Sequence, residues 1–189
     1  MSAPLALLQQ RHSAPSRQLG EPAPAGDPLR ELLQASLRVP DHGKLAPFRL
    51  IQIDGEAKRH FGERLVELAL ARDPQLSDAR LEKERGRYAF APLVIVVVAS
   101  IDTQSSVPPV EQVLSAGCVA HNLLLGTYAL GYGAQWLTGW AAYDPQVAAL
   151  LGLGSHEQVI GFVHIGTPRI EVPDRERPAL ADVLVHWQP

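Results

Sequence analysis

The chain has 189 residues, of which 46% are hydrophobic and 20% charged, a balance typical of a globular protein with a single core-forming domain over residues 1–189. Its formal net charge of -3 argues against binding of nucleic acid or of an anionic membrane through bulk charge. The single cysteine excludes an intramolecular disulfide, and the N-terminus lacks the basic start and cleavage site of a signal peptide. We therefore expect a cytoplasmic protein.

The first half of the chain alternates helical and strand patterns. Residues 1–10 predict a short helix, and a Pro- and Gly-rich turn follows it. Asp27 is the predicted N-cap of a second helix, with Pro28 at its first position and Pro40 beyond its end. The remaining predictions for this half are a strand over 48–54, an amphipathic helix over 56–72 and a charged, solvent-facing helix over 78–88.

A buried strand and a long apolar helix dominate the second half. The β-branched run 93–100 is typical of a strand that is covered on both faces. Residues 110–130 predict a central helix that is apolar nearly all round, and such a helix can be buried by a partner subunit as well as by its own sheet. Further predictions are a strand over 133–139, a helix beginning at Asp144-Pro145, a strand over 158–165 and an apolar C-terminus that docks on a subunit.

The sequence shows neither the ligand spacing of a metal site nor the motif of a hydrolytic active site. Seven histidines and one cysteine do not fall at spacings typical of metal ligands on one element, so we predict no metal site. No nucleophile stands at a strand-to-helix elbow. We expect no catalytic side chain, because a protein that relies on a bound redox cofactor needs little acid–base apparatus of its own.

Three separated segments carry residues suited to ligand binding, and the first is basic. Arg11, His12 and Ser13 follow the first helix, and Arg17 lies close behind. Two guanidinium groups and a hydroxyl within seven residues can surround a phosphate, which favours several charge-assisted donors. The alternative is a solvated basic turn.

The second segment is an irregular loop over residues 38–48. Two prolines and a glycine restrict its backbone, and it carries Arg38, His42 and Lys44 just before a strand. A positively charged loop of this kind suits an anionic, planar ligand. The alternative is a linker with incidental charges.

The third segment spans residues 133–139. Its small residues allow close approach of the backbone to a ligand, while Trp136 offers an aromatic face and Thr138 a hydroxyl. The alternative for Trp136 is a core tryptophan on a strand.

Five motifs in this order resemble the flavin-dependent nitroreductase family, above all its compact bacterial members. Those chains carry R-R-S near residue ten, an A-P-D-H loop, A-G-C in the long helix, then G-x-W, and finally G-F-x-x-x-G-T-P. This sequence carries Arg11–Ser13, Val39–His42, Ala116–Cys118, Gly133–Trp136 and Gly161–Pro168. The resemblance covers nearly the whole chain.

The resemblance implies an α+β, nitroreductase-like fold with a central mixed, mainly antiparallel sheet flanked by helices. It also implies a homodimer formed through the long central helices, with two FMN sites that are each built from both subunits. In one subunit Arg11, His12 and Ser13 would bind the phosphate and ribityl end or the pyrimidine edge. Arg38 and His42 would reach in from the partner.

The resemblance assigns the remaining cofactor-binding residues as well. Gln135, Trp136 and Leu137 would line the isoalloxazine with Thr138 beside them, and Gly166 and Arg169 would lie near the phosphate. Arg17 is displaced by one position from the usual second basic residue. A close relative has arginine in place of Leu137, so only its backbone contact carries over.

The implied activity is reduction of nitroaromatics, quinones or similar electron-poor acceptors by FMN, with NADH or NADPH as donor, in a ping-pong mechanism. Two alternatives keep the flavin but change its use. One is divergent chemistry, such as dehalogenation or breakdown of the flavin, and the other is a non-enzymatic flavin sensor or store. The sequence leaves open the physiological acceptor and the choice between NADH and NADPH.

Overall fold

The computed structural model describes residues 3–188, which form a five-stranded sheet with helices packed on both faces. The strands are β1 (Leu19–Gly20), β2 (Phe48–Asp54), β3 (Leu93–Ser100), β4 (Gly133–Leu137) and β5 (Glu157–Pro168). The helices are α1 (Ala3–Gln10), α2 (Gly26–Ser36), α3 (Gly55–Arg72), α4 (Asp78–Gly86), α5 (Pro109–Ala129), α6 (Pro145–Leu150) and α7 (Leu180–Val183). No helix in this part of the chain is long and apolar enough to cross a membrane.

The strand order is β1-β5-β3-β2, and β4 pairs with β5. The register places Ile51 opposite Val96 and Ile95 opposite Val163. All pairings between the described strands are antiparallel, whereas the sequence predicted a mixed, mainly antiparallel sheet. The α+β class and the flanking helices are as predicted.

Strand β3 lies at the centre of two hydrophobic cores, because its successive side chains alternate between the faces of the sheet. Val94, Val96 and Val98 pack with residues of α3 and with Phe162. On the other face, the intervening residues of β3 pack against α2 and α5. This two-sided burial is what the uninterrupted β-branched run predicts.

Helix starts were predicted with mixed success. Asp144 caps α6, since its Oδ1 accepts hydrogen bonds from the backbone N–H groups of Gln146 (2.8 Å) and Val147 (2.9 Å). The prediction that Asp27 caps α2 is wrong, because that helix begins at Gly26 after an extended Ala25. Asp27 lies in the first turn, where an acidic side chain still complements the helix dipole.

The last strand is longer than predicted. It runs from Glu157 to Pro168, beyond the predicted end at Ile165, because its final residues pair with β1. Strand β1 has only two residues, and so short a segment carries no periodic pattern. This pairing brings the segment after α1 against the end of β5, where the predicted ligand-binding residues lie.

Candidate functional site

The basic segment after α1 forms one side of a cavity of about 130 Å³. Its lining consists of Arg11, His12 and Ser13 together with Pro173, Asp174, Arg175 and Arg177 of the C-terminal tail. Three guanidinium groups and a serine therefore converge on one small space. The two tail arginines were not among the predicted ligands, because nothing in the sequence shows that the tail folds back onto residues 11–13.

One carboxylate occupies this cationic cavity. Asp174 accepts a hydrogen bond from the guanidinium of Arg177, and this contact holds the pKa of its carboxyl group below the ordinary value. The remaining arginines of the cavity form no ion pair with another residue of the described chain. The cavity therefore keeps a positive excess that suits a phosphate group.

A larger cavity of about 480 Å³ shares His12 with the first. The ring of His12 lies edge-on to Tyr128 at the end of α5, with centroids 6.0 Å apart. Gly133 and Pro168 also line this larger cavity. A side chain at Gly133 would bring its Cβ within 2.9 Å of the Cβ of Ala14, so only glycine fits at this close approach. The second cavity is more apolar in character and can accept an organic group beside the phosphate-sized space.

The predicted residues of β4 lie next to the basic segment. The side-chain oxygen of Gln135 accepts a hydrogen bond of 2.6 Å from the backbone N–H of Ser16. The backbone N–H of Ala14 donates to the carbonyl of Ala134 at 3.0 Å. The structure thus brings the first and third predicted segments together.

Trp136 is half-buried and packs in the core on the α5 face. Its indole N–H donates to the carbonyl of Ile160 at 3.1 Å, and the ring crosses Gly161, where a side chain would overlap it. These contacts account for a tryptophan here without a ligand, so its contact with a flavin stays a prediction. Leu137 and Thr138 are also half-buried, at the end of β4.

Arg17, Gly166 and Arg169 lie around the pairing of β1 with β5. The guanidinium of Arg17 lies 5.3 Å from the ring centroid of Phe90, while the side chain of Arg169 covers Gly20. Gly166 is buried opposite Gly133, and a Cβ there would come within 2.7 Å of Pro92. Neither arginine lines the 130 Å³ cavity. Their predicted roles at a phosphate therefore remain predictions.

The second predicted segment lies along α5. Nδ1 of His42 is 2.7 Å from Oε2 of Glu111. The hydroxyl of Ser115 donates to the Pro40 carbonyl at 2.8 Å, and the amide of Asn122 donates to the Arg38 carbonyl at 3.0 Å. The loop therefore runs antiparallel to the helix, with the side chains of Arg38 and His42 exposed.

The backbone of this loop is held in an unusual conformation. Gly43, Lys44 and Ala46 have φ of 75°, 55° and 46°, in the left-handed region that disfavours non-glycine residues. The Asp41 carboxylate compensates by accepting from the backbone N–H groups of Leu45 at 3.2 Å and Ala46 at 2.8 Å. The sequence predicted a stiff, irregular loop, and the part played by Asp41 is an addition from the structure.

One chain does not bring the His42 end of the loop to the basic segment. His42 contacts Glu111 near the start of α5, whereas His12 contacts Tyr128 near its end. At 1.5 Å per residue these contacts are roughly 25 Å apart along the helix axis. His42 and His12 are therefore far apart within the subunit, whereas the Arg38 carbonyl contacts Asn122, roughly 9 Å from Tyr128 along the helix axis.

Comparison with known proteins agrees with this fold. The sequence profile described as "Nitroreductase family" matches residues 8–167. Over 176 residues the chain is 35% identical to the "Putative NAD(P)H nitroreductase YdjA" of Escherichia coli strain K12, which covers 90% of this chain and 94% of that protein.

Solved structures give the same result. A nitroreductase-like family protein from Bacillus cereus matches with a TM-score of 0.83 at 19% identity, over 100% of this chain and 98% of that one. A Desulfovibrio desulfuricans structure that holds FMN matches with a TM-score of 0.76 at 20% identity, over 100% and 98% of the two chains. The chain belongs to the nitroreductase family. The predictions of a nitroreductase-like fold and of a nitroreductase-type enzyme are confirmed.

No group of three or more His, Cys, Asp or Glu side chains within residues 3–188 is arranged to hold a metal ion. Cys118 is a free cysteine on α5. The cationic side chains that line the 130 Å³ cavity suit an anion.

Proposed function

We propose that this protein is an FMN-dependent oxidoreductase that uses NADH or NADPH to reduce nitroaromatics, quinones or similar electron-poor acceptors in a ping-pong reaction. The observation that carries the proposal is the convergence of Arg11, Ser13, Arg175 and Arg177 on one small cavity beside a larger one. The family relationship and the FMN held by a structural relative support the same cofactor.

The two cavities fit the two parts of FMN. The arginine-lined space would hold the phosphate, which several guanidinium donors bind more tightly than one. Displacement of Asp174 from Arg177 would accompany phosphate binding, because both compete for the same guanidinium. The organic part would lie toward β4, whose Gly133 lines the larger cavity. Gln135, Trp136 and Leu137 lie farther along β4 outside that lining, and their place beside the ring rests on the family resemblance.

The bound FMN would supply the redox chemistry, taking electrons from the nicotinamide and passing them to the acceptor. The protein would contribute position and electrostatics. Cationic side chains and backbone N–H groups near the ring would stabilise the negative charge that reduction adds. The exposed side chains of Arg38, a cation, and of His42, a hydrogen-bonding imidazole, are candidates for that role.

We further propose a cytoplasmic homodimer of single-domain subunits, each spanning residues 1–189, with each FMN site shared between the two. Helix α5 supports this assembly, because it leaves a stripe of Val110, Leu114, Gly117 and His121 uncovered in the single chain. Two α5 helices packed antiparallel about a twofold axis would place the start of one beside the end of the other. His42 would then approach His12 of the partner.

A visible absorption spectrum tests the cofactor and the reaction together. The purified protein is expected to show a flavin spectrum that bleaches after anaerobic addition of NADH or NADPH. A flavin spectrum that stays oxidised with both donors would favour divergent flavin chemistry or a flavin store. A colourless protein that does not take up added FMN would contradict the proposal.

Arg11→Ala tests the phosphate site. Loss of one charge-assisted contact costs about 1.5–3 kcal/mol, so FMN affinity should fall roughly 10- to 100-fold and the variant should purify largely colourless. Arg30→Ala is the matched control, because Arg30 is an exposed arginine on α2 paired with Asp27. A fully yellow Arg11→Ala protein would remove Arg11 from the site.

A further inference from the structure

A second cationic cavity lies on the opposite face of the sheet from α5. It has a volume of about 360 Å³ and lies between the end of α3, helix α4 and the residues after β4. The two faces can be told apart at β3, because Val94 packs with the core under α3 and its neighbour Ile95 packs with the core under α5. This cavity shares no lining residue with the two cavities of the proposed flavin site.

The wall of this cavity is held rigidly. The guanidinium of Arg72 lies 4.7 Å from the ring centroid of Trp140 and pairs with the buried carboxylate of Asp144. Glu84 accepts hydrogen bonds from Arg87 at 2.7 and 3.0 Å, and also one of 2.9 Å from the indole N–H of Trp140. These contacts fix two guanidinium groups and an indole in place before any ligand arrives.

Two further cations of the lining have no such partner. Arg80 and Lys83 are one turn apart on α4, both are exposed, and neither forms an ion pair with any residue that the structure describes. Cationic side chains outnumber carboxylates in the lining by four to two, in a chain whose net charge is -3. Since Arg72 pairs with Asp144 and Arg87 with Glu84, the unpaired charges of the lining are those of Arg80, Lys83 and the carboxylate of Asp73. The two cations exceed the one carboxylate, so the cavity favours an anion at Arg80 and Lys83.

The size of the cavity is sufficient for a small organic ligand. Pockets for small organic ligands measure about 300–1,000 Å³ and combine apolar wall with a few convergent polar groups. Ala69, Leu76 and Trp140 supply apolar wall beside the cations. We propose that this cavity binds a small organic phosphate, with its phosphate on Arg80 and Lys83 and its organic part against Leu76 and Trp140.

The test is calorimetric titration of the protein, supplied with FMN to fill any flavin site, with AMP, inorganic phosphate and adenosine in turn. AMP is expected to bind more tightly than either of the other two, and its affinity should fall as salt is added. Arg80→Ala and Lys83→Ala should each weaken AMP binding about ten-fold, since each removes a charge-assisted contact. Arg64→Ala, an exposed arginine of α3 that pairs with Glu67 outside the cavity, should leave it unchanged.

Several outcomes would overturn the proposal. They are AMP binding that Arg80→Ala and Lys83→Ala leave intact, equal affinity for AMP and inorganic phosphate, or no heat with AMP while circular dichroism shows a folded protein. The titration measures AMP affinity, which can be determined whether or not the protein retains FMN. A failure of this proposal is therefore distinguishable from a failure of the proposed flavin function. The flavin spectrum is recorded alongside and should not change in either α4 variant.

Discussion

His164 is a polar side chain enclosed in the core. It is 0% exposed, stacks on Tyr88 with ring centroids 5.5 Å apart, and neither ring nitrogen has a hydrogen-bond partner in the described chain. Burial lowers the pKa of His164 to about 4 from its ordinary value of 6.5, and the positive charge of Arg87 adds to the effect. The imidazole is therefore neutral in the native state at physiological pH.

This burial predicts a loss of stability in acid. Between pH 6.5 and 4 the unfolded chain binds a proton that the native His164 does not, so the free energy of unfolding falls as the pH falls through that window. From pH 7.5 to 5 this single group accounts for about 2 kcal/mol. His164→Phe, which keeps the stack on Tyr88, should remove most of that share in urea unfolding at the two pH values.

His156→Gln, at an exposed histidine, is the matched control for this experiment. If His164→Phe loses as much stability between pH 7.5 and 5 as the parent does, His164 is not the buried neutral group described above.

For the candidate site, the sequence predicted the residue types better than the residues that each of them contacts. The basic cluster at residues 11–13 was visible because its members are neighbours in the chain, and the structure places it at a cavity. Arg175 and Arg177 could not be assigned, since their position depends on the path of the tail back to α1. Arg17 has the right charge for a phosphate ligand but lies over Phe90, a contact with no local signal.

Helices α3 and α4 approach each other closely at Gly62. A Cβ at this position would overlap the backbone carbonyl oxygen of Arg85, which cannot move without shifting α4. Gly62→Ala should therefore destabilise the protein by about 1–3 kcal/mol through overpacking, although alanine is the better helix former. Chemical denaturation gives the measurement.

Gly86→Ala on α4 is the matched control. There the new Cβ would lie 3.2 Å from the ring of Phe90, a partly exposed side chain that can yield. We expect a change within about 0.5 kcal/mol for this variant. Equal losses in both variants would mean that the close approach of the two helices is not what limits position 62.

The exposed stripe on helix α5 provides a test of the proposed homodimer. Leu114 is 62% exposed in the single chain, in line with Val110 and Gly117. Leu114→Asp should shift the protein toward monomers in light scattering after size exclusion, because a carboxylate would be buried without a partner in the proposed interface. Leu150→Asp, at an exposed leucine of α6, should not change the mass. A monomeric parent protein would contradict the proposed dimer directly.

Elements with a strong period were predicted closely, and those that depend on tertiary pairing were not. Strand β2 occupies the predicted residues 48–54, and α5 agrees within one residue at each end. Strand β1 exists only because β5 runs past it, so its two residues were not predicted. The N-cap of α2 was misplaced because Gly26 begins the helix with a φ of 58°, a conformation that the Asp27-Pro28 signal does not indicate.

The apolar side chains of the C-terminal tail are exposed to solvent in the single chain. Leu180, Val183, Val185 and Trp187 are all largely exposed in the single chain. The sequence predicted that this apolar end docks on a subunit, and the prediction stands untested alongside the proposed dimer. The family and fold could be recognised from five short motifs, whereas a site shared between two subunits requires geometry that no single chain contains.

In the proposed dimer each FMN is held by residues of both subunits, and a mixed dimer distinguishes this arrangement from a site within one chain. One subunit carries Arg11→Ala and the other Arg38→Ala with His42→Ala, and two affinity tags isolate the heterodimer. Each variant alone should bind FMN poorly. The heterodimer should recover one FMN per dimer, because one of its two sites then has every ligand intact. A heterodimer that binds no more FMN than either parent variant would show that each site lies within one chain.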